Sequence, residues 1–303
     1  MLCENLSLFQ SVCSNAVDMH LAAILGPGNT GKTFAAFQHK ANARWTSLVE
    51  QADAIVIFGG DGTIHRNLPK LIELDVPVLI VPCGSGNDFA RALGLRSIRD
   101  SLTAWQQFST GQSKPRLVDL GLIRQSAKRD SGTDFQVYFC CVAGVGLDAE
   151  IAKRANLLPR WLRARGGYGL SAPREFFRFA PFPMKISPDG SSPSGFHPTI
   201  LAAVANTQYY GGGMRIAPSA LLDDGKLDIC VVRAMDKFKL FCLFPTVYFG
   251  RHTKISSVEY AQAPVAAIET ERPFDVYADG EYICQTPVEF SVAPGALQVI
   301  VAQ

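Results

Sequence analysis

Three apolar runs in the first third of the chain each end in a glycine turn. Leu21-Ala22-Ala23-Ile24-Leu25 runs into Gly26-Pro27-Gly28, Ala54-Ile55-Val56-Ile57-Phe58 into Gly59-Gly60, and Val76-Pro77-Val78-Leu79-Ile80-Val81 into Pro82-Cys83-Gly84. Helix-like stretches separate them, the first from about Thr33 to Ala41. Strand, glycine turn and helix in repetition predict a parallel α/β sheet. Such sheets gather ligands at the carboxyl ends of their strands, which is where all three turns fall.

The pattern changes after about Lys114. Short alternating segments with frequent turn residues take over, at Phe135 to Val142, Thr199 to Asn206, Leu227 to Val232 and Phe274 to Ala278. This spacing predicts an antiparallel β domain. Pro181 to Pro198 is rich in Pro, Ser and Gly and reads as hairpin loops or an exposed excursion. Residues 1–114 are therefore expected to form the α/β domain and 115–288 the β-rich one. The last run, Ala296 to Ala302, could pair in either, so a strand over 289–303 returning to the first domain is expected as an option.

Bulk properties narrow the class. A chain of 303 residues suggests two modest domains, and 48% apolar residues suffice for real cores. The formal charge of +2 and the lack of any basic run exclude a nucleic-acid partner. Eight scattered cysteines form no Cys-x-x-Cys pair and no zinc spacing. With no signal-peptide pattern, they point to a reducing, cytoplasmic setting. Val231 to Gly250 is rich in Phe, Leu and Val, but Arg233, Asp236, Lys237, Lys239 and Pro245 interrupt it, so it does not read as a membrane span. Phe238, Phe241, Leu243, Phe244 and Phe249 within it fit a core face or a face docked on a bilayer.

Candidate chemistry sits at the glycine turns. Gly59-Gly60-Asp61-Gly62-Thr63 follows a buried strand, and its glycines let backbone N–H groups approach a phosphate. Asp61 suits such a loop if it holds Mg²⁺, directly or through water. Gly84-Ser85-Gly86-Asn87-Asp88 closes the next strand; Ser85 can donate to a phosphate, and Asn87 or Asp88 can cap the following helix. Gly26 to Thr33 also satisfies the phosphate-loop pattern G-x-x-x-x-G-K-T. A P-loop enzyme leaves the Gly-Gly-Asp-Gly-Thr turn unexplained, so the later loops carry the reading. Near the C-terminus, Asp279-Gly280-Glu281 could accept a proton from an alcohol attacking ATP, or be a plain hairpin turn. Asp223-Asp224-Gly225-Lys226 is either a surface turn or a divalent-ion site.

Taken together these motifs resemble the diacylglycerol kinase catalytic family, which includes bacterial lipid kinases and sphingosine kinases. Gly59 to Thr63 looks like its nucleotide loop, and PCGSGNDFARAL (Pro82 to Leu93) like its G-T/S-x-N-D-F-A-R segment. Val118-Asp119-Leu120-Gly121, AGVGLDA (Ala143 to Ala149), ANTQYYGGGMRIAPSALLDDGKLD (Ala205 to Asp228) and Asp279-Gly280-Glu281 resemble later signatures, in order.

The resemblance implies an N-terminal Rossmann-like parallel-sheet nucleotide domain, akin to NAD kinases and phosphofructokinases, and a C-terminal β-sandwich that binds lipid. It implies ATP and Mg²⁺ as cofactors and phosphoryl transfer to a lipid hydroxyl, diacylglycerol or a related lipid. Gly59, Gly60, Asp61, Gly62, Thr63, His65, Ser85, Asn87 and Asp88 would contact the nucleotide. Asp61 and Asp119 would belong to the magnesium–water network, and Glu281 or Asp279 would accept the proton. Asp224, with the carbonyls of Leu221 and Lys226, would hold a structural Mg²⁺. The lipid would be met at the membrane surface; peripheral attachment to its inner face and a homodimer stay open.

The chain departs from the family at three places. The turn after the first strand reads Gly26-Pro27-Gly28-Asn29-Thr30-Gly31-Lys32 where the family usually has Asn-Pro-x-Ser-Gly-Lys, so the Asn is displaced or lost. The interval from Lys32 to Gly59 is short, so the sheet is expected to lack a strand. After Thr63, where the family often has Asn-Glu, stand His65 and Arg66. The competing readings are a soluble NAD-kinase-like small-molecule kinase and a non-catalytic nucleotide or lipid binder.

Overall fold

The computed structural model describes residues 19–28, 30–125, 135–157, 175–189 and 195–302. The chain divides into two compact units, Met1–Val118 with Gly295–Gln303, and Asp119–Pro294.

In the first unit β1 (His20–Leu25), β2 (Arg44–Thr46), β3 (Ala54–Gly59) and β4 (Val78–Pro82) form a parallel sheet in the order β2-β1-β3-β4. Every residue of β3 is buried, as expected of a central strand that is apolar on both faces. Helix α1 (Thr30–Ala41) starts earlier than about Thr33 because the Thr30 hydroxyl donates to the Gly26 carbonyl at 2.7 Å, closing the first turn. Its Phe34 and Phe37 meet Phe58 and Trp45 edge to face.

That packing corrects one expectation. The sheet does not lack the strand after α1; the strand is shortened to Arg44–Thr46, in parallel register with β1. Trp45 gives so short a strand its anchor. Helices α2 (Asp61–Leu74), α3 (Asp88–Ala92) and α4 (Ile98–Ser109) complete the unit. Trp105 of α4 is fully buried and donates its indole N–H to the Ala41 carbonyl at 2.7 Å. The chain end joins this unit: Val299 pairs with Val78, and Ile300 N–H donates to the Val78 carbonyl at 2.9 Å.

The second unit is antiparallel and forms a β-sandwich. It contains β5 from Asp119 onward (the strand spans Arg116–Gln125), β6 (Phe135–Phe139), β7 (Val142–Gly146), β8 (Phe182–Pro188), β9 (His197–Ala205), β10 (Leu227–Arg233), β11 (Val258–Ala263), β12 (Val265–Thr270), β13 (Asp275–Ala278), β14 (Glu281–Gln285) and the first part of β15 (Val288–Val299). The order β14-β13-β7-β9-β8-β12-β15 runs through β9, which also pairs with β10. Phe139, Met184, Val204, Ile229, Val276 and Phe290 fill the core. Two helices, α5 (Leu147–Leu157) and α6 (Lys237–Val247), follow β7 and β10.

The Pro-rich stretch is not only loop. Its first part is β8, where Phe182, Met184 and Ile186 alternate into the core. Pro183 stands opposite Pro198 on β9, so neither missing N–H breaks the ladder elsewhere. Residues 190–194 of that stretch lie outside the described residues. Among the described residues no helix is long and apolar enough to cross a membrane, and the six described cysteines carry free thiols.

Candidate active site

Strand order locates the first candidate. The chain leaves β1 toward β2 and returns to β3 on the other side of β1, so the order reverses between β1 and β3. The crevice at the carboxyl ends of such a pair is the ligand position of open α/β sheets. Gly26 and Gly59 stand there.

The glycine loops touch backbone to backbone. A Cβ on Gly60 would lie 2.8 Å from the Gly84 Cα, and one on Gly84 would lie 2.5 Å from the Gly60 Cα. A Cβ on Gly59 would lie 2.6 Å from the Thr63 Cβ, and one on Gly26 would lie 2.5 Å from the Thr63 hydroxyl. Side chains are excluded, which leaves backbone N–H groups as the lining. At Gly31, by contrast, an added Cβ meets nothing within 4 Å. The P-loop-like sequence is therefore a strand-to-helix turn packed on Thr63, and its second glycine is not sterically required.

Asp61 joins the two loops. It is the first residue of α2, and its two carboxylate oxygens accept the N–H groups of Asp88 and Phe89, each at 3.1 Å. One carboxylate thereby caps α3 while lying in the first turn of α2, where the helix dipole favours negative charge. Asn87 holds the second loop from within. It adopts a left-handed backbone, accepts the Gly84 N–H at 2.8 Å and donates to the Gly84 carbonyl at 2.7 Å. Buried Asp88 pairs with Arg91, whose guanidinium also donates to the Gly86 carbonyl at 3.2 Å. Asn87 and Asp88 thus shape the loop with their side chains, while Ser85 stands exposed at its tip. His65 is buried within α2 and Arg66 is exposed. Thr63 is buried beneath the loops.

The second unit holds the other predicted residues. Asp279 and Gly280 both have positive φ, 50° and 85°, and form the two-residue turn between β13 and β14, with Ala278 opposite Glu281. The hairpin reading is therefore correct as geometry. The Asp279 carboxylate also accepts the N–H groups of Cys140 at 2.9 Å and Cys141 at 2.8 Å. Asn156 of α5 donates to the Gly280 carbonyl at 2.8 Å. Glu281, half-buried at the start of β14, is held on this braced turn.

Asp119 is brought to the Asp224 turn. Its carboxylate accepts the Gly225 N–H at 2.8 Å, and its N–H donates to the Leu222 carbonyl at 2.6 Å. Asp224 accepts the Lys226 N–H at 3.1 Å, a local Asx turn, with Leu221 exposed beside it.

Sequence reasoning missed three residues. Asn206, fully buried, donates its side-chain amide to the carbonyls of Asp119 (2.8 Å) and Cys140 (3.1 Å). It therefore ties the Asp224 turn to the Asp279 anchor. Its place in ANTQYY was visible; its bonds were not. Asp148 and His252 line a mainly apolar cavity together with Leu147, Met214, Leu240 and Phe244 among others. Burial pushes the Asp148 carboxyl up to about 7 and lowers the His252 imidazole. Nothing in the residue pattern pointed into this cavity.

Two family models match the chain. The "Diacylglycerol kinase catalytic domain" family matches residues 13–123, and the "YegS C-terminal NAD kinase beta sandwich-like domain" matches residues 141–301. A diacylglycerol kinase of Mycobacterium tuberculosis is 35% identical over 254 residues, 84% of this chain and 78% of that protein. A diacylglycerol kinase of Bacillus subtilis is 27% identical over 246 residues, 80% and 76% of the respective chains. The crystal structure of a diacylglycerol kinase from Bacillus anthracis superposes with a TM-score of 0.62 at 21% identity, covering 94% of this chain and 97% of that one. The glycine loops, the sandwich and these similarities converge: the chain belongs to the diacylglycerol kinase family and is an ATP-using lipid kinase.

Proposed function

We propose that the chain transfers the terminal phosphoryl group of MgATP to the hydroxyl of a diacylglycerol-like lipid. The carrying observation is Asp61, whose one carboxylate, in the first glycine loop, accepts N–H groups from the segment that follows the second. Gly59 to Thr63 hold the phosphates through backbone N–H groups other than that of Thr63, which is donated to the Gly60 carbonyl at 2.9 Å, and the Ser85 hydroxyl joins them; preorganised donors meet the charge that develops in the transition state. The oxygen donors of Asp61 and the Asp224 turn, with the Leu221 and Lys226 carbonyls, are of the hard type that Mg²⁺ takes. When bound beside the triphosphate, the ion neutralises charge on the transferring group.

The lipid oxygen forms the new P–O bond, the bond to the ADP oxygen breaks, and Glu281 takes the hydroxyl proton. Asp279 is assigned the supporting role, since two N–H groups already bind its carboxylate. Asp119 acts through the turn that it braces. The apolar cavity holds an acyl chain, for which Leu240, Leu243, Phe244 and Met214 supply the surface. Purified protein with labelled ATP and a panel of diacylglycerol, phosphatidylglycerol, sphingosine, a polyprenol and NAD tests the assignment. Label in diacylglycerol, lost in Asp61→Asn, is the expected result; equal labelling of NAD, or none of any lipid, overturns it.

A further inference from the structure

Helix α6 carries apolar side chains on its exposed face as well as its buried one, which a surface helix ordinarily does not. Leu240, Leu243, Phe244 and Val247 face inward and wall the cavity. Phe238, Phe241, Cys242 and Pro245 are exposed, at the spacing of one helical stripe, and Tyr248 and Phe249 continue it. Phe238 is 69% and Phe249 71% exposed, so these rings are not half-covered core residues. Phe177, itself 51% exposed, widens the stripe by packing its ring 5.7 Å from that of Phe241. Lys237 donates to the Phe177 carbonyl at 2.7 Å, fixing the two pieces together.

The charges flanking the stripe are of one sign. From Ala234 to Ser257 the basic side chains Lys237, Lys239, Arg251 and Lys254 stand against one acid, Asp236. Asp236 is engaged as the N-cap of α6, accepting the N–H groups of Phe238 and Lys239. Aromatic rings with a basic rim are the pattern of helices lying in the membrane interface. A second copy of the chain on this face would set the same cations against each other, because a two-fold interface is self-complementary.

We propose that α6, extended by Phe177 and Phe249, is the surface on which this kinase docks to an anionic bilayer. The helix then has bilayer on one side and the cavity on the other, so a lipid leaving the bilayer enters along the wall that touches it. The proposal rests on the lipid-kinase reading but is tested apart from it.

Co-sedimentation with vesicles of phosphatidylcholine alone, and of phosphatidylcholine mixed with phosphatidylglycerol, is the measurement. The protein is expected to bind the mixed vesicles preferentially. Phe238→Ser with Phe249→Ser should lower binding about tenfold or more. Lys239→Glu with Lys254→Glu, exposed changes that cannot empty the core, should remove the preference for the anionic lipid. Both variants should phosphorylate a dispersed short-chain diacylglycerol within about twofold of the parent rate, since neither pair touches the cavity or the loops. Failure of the parent protein to bind mixed vesicles, or unchanged binding by both variants, overturns the proposal. So does a dimer in light scattering that the Phe variant dissociates, which would assign the face to a second copy. Loss of activity on the dispersed lipid by the parent would instead strike the kinase reading.

Discussion

Gly60 and Gly84 face one another so closely that a Cβ on either would fall within 2.8 Å of the other's Cα. Two loops from consecutive strands therefore share one lining of bare backbone. Gly84→Ala should push the loops apart at a cost of about 1–3 kcal/mol. The Michaelis constant for ATP should rise about tenfold, with secondary structure by circular dichroism unchanged. Steady-state kinetics and a thermal melt check both.

Two substitutions separate the chemical role proposed for Asp61 from the structural one its hydrogen bonds show. Asp61→Asn removes the charge and keeps one of the two acceptor oxygens, leaving one α3 N–H against the amide; kcat should fall about 10²–10³-fold, with a smaller loss of melting temperature than in Asp61→Ala. Asp61→Ala should lose activity as well and also about 1–3 kcal/mol of stability, because the Asp88 and Phe89 N–H groups lose their acceptor. Equal stability of the two variants would remove the structural half of this account.

At the β13–β14 turn the neighbouring carboxylates should respond in opposite ways. Glu281→Gln should cut kcat by about 10²–10⁴-fold and leave the melt unchanged. Asp279→Ala should lower the melt, since the Cys140 and Cys141 N–H groups are orphaned. Denaturant titration beside single-turnover kinetics distinguishes them, and the reverse pattern would make Asp279 the proton acceptor.

Asp148 predicts a pH dependence of stability. Burial raises its carboxyl from 3.8 to about 7. Below about pH 4 both folded and unfolded forms hold the proton and no penalty arises. As pH rises to about 7 the unfolded chain ionises first, so stability falls; above 7 the loss is complete. Asp148→Asn carries no such charge. Its stability relative to the parent should grow by about 3 kcal/mol between pH 4.5 and pH 8, read from urea unfolding at the two pH values.

The parallel sheet was legible from β1, β3 and β4 because strands covered on both faces must be apolar throughout, and no tertiary detail alters that demand. Arg44–Thr46 was not legible. Three residues carry no periodicity, and the strand exists because Trp45 finds Phe34 and Phe37. β8 was hidden by its prolines, which suggest a loop until Pro198 is seen opposite Pro183.

For the site, chain order alone determined the residue types: glycines where backbone approaches backbone, an acid at a helix start, an Asp-Gly pair at a hairpin. These are local demands, met within a few residues. Tertiary structure decided what each carboxylate is bonded to. Asp61 and Asp279 each accept N–H groups from segments distant in sequence, Asn206 joins two turns through its amide, and the cavity draws its walls from α5, α6 and the Tyr210–Met214 turn. Burial and long-range hydrogen bonding depend on the packed arrangement of several elements, so no window of the sequence contains them.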